Sequence, residues 1–109
     1  MDISQFLEQL KQLIYEIEEK AALIEKDLDA GIQVMPEVTA LIQKVLPDWF
    51  FFIEQTEIGD TQTILSMVTD LTRAMQDRDE VLLVDTLLYG LRDYLAEYVN
   101  VIEEVLNEE

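Results

Sequence analysis

The 109-residue sequence contains no cysteine and no histidine. Without cysteine there are no disulfides, no thiolate metal sites and no thiol nucleophile, and nothing hints at an oxidising compartment. Without histidine the commonest general base and metal ligand are missing as well. The only serines, Ser4 and Ser66, belong to no nucleophile motif. Three glycines, at 31, 59 and 90, are too few and too scattered for a phosphate-cradling loop. A dinuclear carboxylate bundle requires Glu-x-x-His pairs, which this composition rules out. The stretch "DLDAG" (27–31) is no calcium loop: Gly31 follows two acids instead of three, and counting back from Glu37 puts Lys26 in the first ligand slot. We therefore expect no enzyme, no cofactor and no metal.

Basic residues are also scarce: seven lysines and arginines face 24 acids, for a formal charge of −17. Phosphate backbones and anionic lipid surfaces repel such a molecule, so we expect neither nucleic acid nor membrane as a partner. Long apolar runs are lacking too. The longest stretch without a charged residue is Thr61 to Thr69, well short of the ~20 apolar residues of a membrane span. "MDISQFLEQLKQ" mixes charged with apolar residues, unlike a secretory leader, and the expected location is cytoplasmic.

Half of the residues are nevertheless apolar, and their spacing is helical throughout. Ile3, Leu7, Leu10, Ile14, Ile17, Ala21, Ile24 and Leu28 alternate steps of four and three. Asp2 is placed to cap this first helix, with Gln5 as its reciprocal partner, and Gly31 to end it, so it is expected over about 2–30. Pro36 suits the first position of a second helix, whose stripe is Val38, Ile42, Val45, Trp49 and Phe52. The stripe keeps phase across Pro47, which predicts one helix over 36–57, kinked or locally opened at that proline and stopped by Gly59, with two short helices as the alternative. Asp60 or Thr61 caps a third helix (61–76) with Ile64, Val68, Leu71 and Met75 inward. Asp77 and Glu80 form a capping box for a fourth (79–107), which turns Val84, Leu88, Leu91, Leu95, Tyr98, Ile102 and Val105 inward. The expected fold is all-α: a single-domain antiparallel up-down-up-down four-helix bundle with coiled-coil-like seams and long first and last helices.

Two local violations stand out. "WFFFI" (49–53) puts five large apolar residues in a row, and a helix cannot turn them all inward. Trp49 and Phe52 point to the core, Phe50 sits at its edge, and Phe51 shares the opposite face with Lys44, Pro47 and Gln55. Phe51 either tucks beneath the "TEIGD" loop or stands free as an aromatic anchor for a partner. Gly90, inside the fourth helix, costs about 1 kcal/mol relative to alanine. Its expected purpose is to admit a bulky neighbour, with Trp49 the candidate.

The acids sit where the helix dipole opposes them. Asp27 and Asp29 close helix 1, Glu54 and Glu57 close helix 2, and Glu103, Glu104, Glu108 and Glu109 close helix 4. If helices 1 and 4 are the longest, the start of one and the end of the other project together at one pole. That pole would expose Ile3, Phe6, Leu7, Leu10, Val101, Ile102, Val105 and Leu106 within an acidic ring. Apolar surface ringed by acid suits a basic, amphipathic helical partner. The expected contact residues are Phe51, Phe50, Phe6, Leu7, Leu10, Ile102, Val105 and Leu106, and the expected function is a non-enzymatic protein-interaction or regulatory module. The same surface admits a second copy of the chain, giving a homodimer. The alternative is an acidic mimic of nucleic acid that occupies a basic protein surface.

"LLVDTLLYGLRDYLAEYV" (82–99) resembles a segment of uncharacterised small acidic all-helical proteins of Gram-positive bacteria, in which an aspartate-leucine-leucine-tyrosine-like run opens the last helix. That resemblance implies an all-helical fold and no particular activity. In general shape, an acidic helical bundle with exposed apolar seams is also similar to flagellar and type III export chaperones.

Overall fold

A computed structural model describes residues 2–107. Those residues form four helices and no strand. We label them α1 (Ile3–Lys26), α2 (Leu28–Thr56) and α3 (Thr61–Asp77), followed by a fourth helix in three consecutive segments: α4 (Glu80–Asp85), a π-helical stretch (Thr86–Arg92) and α5 (Asp93–Asn107). The assembly measures 46 × 22 × 20 Å. Its long axis matches α2, whose 29 residues span ~44 Å at 1.5 Å per residue.

Caps explain most of the boundaries. The Asp2 carboxylate accepts the backbone N–H groups of Ser4 at 3.0 Å and Gln5 at 3.4 Å, and Asp60 accepts that of Gln62 at 3.0 Å, as expected for N-caps. The first two helices divide elsewhere than predicted. Asp27, not Gly31, is the break: with φ −155° and ψ 102° it is a single extended residue between α1 and α2. Its N–H bonds the Leu23 carbonyl at 2.8 Å, ending α1, while its carboxylate accepts the Ala30 N–H at 3.2 Å and starts α2. One residue thus serves both helix ends. Gly31 lies buried in the first turn of α2, and Pro36 is interior to the helix instead of opening it.

Consequently α2 is the long helix and α1 is shorter than expected. Asp27 and Asp29 occupy the positive end of the α2 dipole, where negative charge is favourable, and Asp29 also pairs with Arg78. Helix α2 continues through both prolines. Each proline is exposed, so water reaches the carbonyl that lost its donor. The helix ends at Thr56, with Glu57 in the left-handed region (φ 60°), two residues before the predicted stop at Gly59 (φ 105°). In the fourth helix Asp79 is the cap, accepting the Leu82 N–H at 3.1 Å, and the predicted Asp77 box does not form.

The core is one cluster of buried apolar residues with no buried charge among the described residues. Val38, Ile42, Val45, Trp49 and Phe52 are all buried, as their spacing predicts. On α1 the buried stripe adds Phe6 and Leu13 in place of Ile3 and Ile14, and on α3 it is Ile64, Leu71 and Ala74. The fourth helix departs most. Leu83, Leu87, Leu91 and Leu95 are buried, each four residues after the last. In an α-helix each such step overshoots a full turn by ~40°, and three steps would carry the stripe ~120° around. The π segment removes that drift, because turns closed on i+5 hold more residues than α-turns. The widened turns rotate the first half of the helix relative to the predicted register. Val84 and Leu88 are therefore left half-buried at the rim.

Candidate partner-binding surfaces

The end of the molecule where α1 begins and the fourth helix finishes is largely closed. Because α2 starts at Leu28, directly after the hinge at Asp27, it runs back along the whole of α1 and Phe52 reaches Phe6, with ring centroids 5.2 Å apart. Trp49 meets Tyr98 edge-on at 5.3 Å, and Tyr98 stacks with Tyr94 at 6.0 Å. Phe6, Leu7, Leu10 and Ile102, all expected at an open pole, are buried. They belong to the core because the second helix is long enough to cover them. What remains open there is a crevice of about 140 Å³ lined by Ile3, Phe52, Thr56, Ile58, Ile102, Val105 and Leu106. Of the predicted contact residues, Val105 is exposed, while Leu106 and Phe50 are half-buried against the core. The acidic rim is partly neutralised, since Glu103 pairs with Lys11 at 3.2 Å. Glu108 and Glu109 lie outside the described residues.

Phe51 does not tuck under the α2–α3 loop. It is 51% exposed, on the outer side of α2 with Lys44, Pro47 and Gln55. The loop is closed by Tyr98, whose hydroxyl donates to the Ile58 carbonyl at 2.5 Å. Burial pushes the Tyr98 phenol up to about 12, because the phenolate would lose its hydration. The neighbouring Tyr94 phenol is raised chiefly for the same reason.

Gly90 admits no bulky neighbour. A Cβ built there would meet no atom of another element within 4 Å, and Trp49 packs on Tyr94 and Tyr98 instead.

A surface missed by the sequence reading lies along the fourth helix. Val81 is 71% and Tyr89 69% exposed. Together with Val84 and Leu88 they form an apolar trough of about 360 Å³, edged by Glu25 of α1 and by Glu80 and Asp85. No basic side chain lines it. The sequence signal was present in the run of leucines four apart, which calls for wider turns than α-helical spacing provides.

A third trough, between α1 and α2, is lined by Gln12, Glu16, Glu37, Ala40, Leu41 and Lys44. Lys20 bridges its walls, reaching Glu16 at 3.0 Å and Glu37 at 3.1 Å, and its pKa is raised by those two hydrogen bonds. Here both carboxylates of the trough, Glu16 and Glu37, are already paired within the molecule.

Comparison with known proteins gives no relative. No protein-family model matches the chain, and neither does any curated protein or solved structure. Any functional conclusion therefore rests on the surfaces themselves. Among the described residues, no helix is long and apolar enough to cross a membrane.

Proposed function

We propose that the chain is a non-enzymatic protein-interaction module, an antiparallel up-down-up-down four-helix bundle that docks a helical partner of basic character. The short connections support the up-down order, as do the pairings of Lys11 with Glu103 and Asp29 with Arg78. The observation that carries the functional reading is the position of Phe51, Val81 and Tyr89. Each is more than half exposed, outside a core that is complete without it. Exposed aromatic residues are favoured interface anchors, and a net charge of −17 selects for a basic partner.

The test is the molar mass in solution by light scattering, at low and then moderate salt. The module reading predicts a monomer in both, because like charge opposes self-association and no copy is needed to complete the core. A dimer that grows as salt screens the acids would reassign the exposed side chains to homodimer formation.

The acidic-mimic reading is favoured by a different observation: no carboxylate is buried among the described residues, so the charge is all at the surface. Mimicry predicts binding to basic surfaces that collapses with salt and is indifferent to loss of any of the exposed apolar side chains, Phe51, Val81 and Tyr89 alike. The helix-docking reading predicts moderate salt dependence and sensitivity to loss of exposed apolar residues. A chaperone-like role, with a secreted helix as client, is a special case of helix docking.

A further inference from the structure

We infer that the trough between α1 and the fourth helix is the docking groove, and that its occupant is a basic amphipathic helix. The inference rests on the interaction-module reading and gives it a location. Three observations carry it. First, the trough is apolar where it is deepest, with Val84 and Leu88 half-buried between the exposed Val81 and Tyr89. Val81 to Tyr89 covers ~12 Å of helix, about two turns, the length over which a docked helix presents anchors at i, i+3 or i+4 and i+7.

Second, the rim carries one sign of charge. Glu25, Glu80 and Asp85 edge the trough, and Glu18, two turns before Glu25 on α1, is also exposed. None of these four forms an ion pair within the described residues, unlike Glu16, Glu37 and Glu103 elsewhere. The nearest guanidinium along the fourth helix, that of Arg92, is already held by Asp93 at 3.1 Å. A partner's lysines or arginines would supply the missing countercharges. Tyr89 offers a ring face to one of them. A second copy of this chain would instead bring carboxylates against carboxylates.

Third, the π segment creates the alignment. Between Val81 and Tyr89 an unbroken α-helix would turn ~80° past two full turns. The wider π-turns over Thr86–Arg92 remove most of that excess, so both side chains flank the same trough. Single π-turns recur at functional sites, and here a longer π segment shapes one wall of the groove.

The experiment uses the whole chain and an 18-residue synthetic peptide of leucine and lysine at helical spacing. The controls are a leucine/glutamate counterpart and a scrambled leucine/lysine peptide, and binding is followed by fluorescence anisotropy at about 0.15 M salt. The groove predicts binding of the amphipathic basic peptide only. Tyr89→Ala and Val81→Ser should each weaken it about tenfold, as should Glu25→Gln, Glu80→Gln and Asp85→Asn combined. Phe51→Ala should change it less than twofold. Both Tyr89 and Val81 are exposed, so unchanged circular dichroism will verify that these variants fold. Binding unaffected by Tyr89→Ala and Val81→Ser but lost with Phe51→Ala overturns the groove and leaves the module reading standing. Equal binding of the scrambled peptide also overturns the groove, in favour of charge alone. No peptide binding together with a salt-stabilised dimer in light scattering overturns both readings.

Discussion

Gly31 stands against Ile24 with no room between them for a side chain. A Cβ on Gly31 would lie 2.8 Å from the Ile24 Cα and would overlap its Cγ1. The contact follows from the single-residue hinge at Asp27, which folds the first turn of α2 directly onto the last turn of α1. Because the obstacle includes backbone, rotamer changes cannot relieve it. Gly31→Ala should therefore cost about 2–3 kcal/mol, the upper part of the range for overpacking, measured by urea unfolding. A midpoint equal to that of the unsubstituted protein would mean that the helix corner opens freely.

Gly90 gives the opposite expectation. It is helical, its φ is not positive, and a Cβ there would meet no neighbouring element. Gly90→Ala should stabilise by about 0.5–1 kcal/mol through the reduced entropy of the unfolded chain. The same urea assay checks it, and a loss of stability would show that the π segment needs the glycine.

Asp79 and Asp77 are two residues apart, but only Asp79 caps the fourth helix. Asp79→Ala should cost about 1 kcal/mol, and Asp77→Ala a few tenths at most. Thermal melts of the two variants side by side separate the cap from the neighbouring acid.

Tyr98 predicts an alkaline limit. Its folded pKa, about 12, lies above the ordinary value of 10.0. The stabilisation from keeping the phenol neutral is thus fully present below pH 10 and is lost as pH rises from about 10 to about 12. Lys20, raised by its bonds to Glu16 and Glu37, acts in the same direction: its contribution is complete below its unfolded value and fades as pH passes its folded one. Tyr98→Phe should cost about 1 kcal/mol at neutral pH by removing the bond to Ile58, yet make the alkaline decline shallower. Denaturation midpoints between pH 8 and about 12 would reveal both effects. A decline as steep as in the parent protein would assign the alkaline loss to other groups.

Much of the fold was legible because helical periodicity is written within a few residues. Each apolar stripe announces a helix, and Asp2 and Asp60 announce their caps through groups two and three positions away. From Val38 to Phe52 the α2 stripe was readable from spacing alone, although Met35 and Gly31, buried before the expected helix start, were missed. Phe51 was assignable to the outer face because its neighbours on that face are Lys44, Pro47 and Gln55. The candidate site was less legible. The predicted pole failed because its exposure depended on relative helix lengths, and those turned on one choice between two nearby helix breakers, Asp27 and Gly31.

By itself, then, the sequence determined that the chain is helical, that its core is apolar, and that its surface is acidic. Those properties follow from composition and short-range spacing, and any compact arrangement would preserve them. Only the tertiary structure decided that α1 ends at Asp27, because the corner there is closed by Gly31 meeting Ile24, residues seven apart on different helices. It also decided that Phe6, Leu7, Leu10 and Ile102 are interior, because Phe52 comes from another helix to cover Phe6. And it decided that Val81 and Tyr89 flank one trough, because burying Leu83, Leu87, Leu91 and Leu95 together required turns wider than α. In each case the competing local conformations differ by about 1 kcal/mol, and the burial of apolar side chains between helices outweighs that difference.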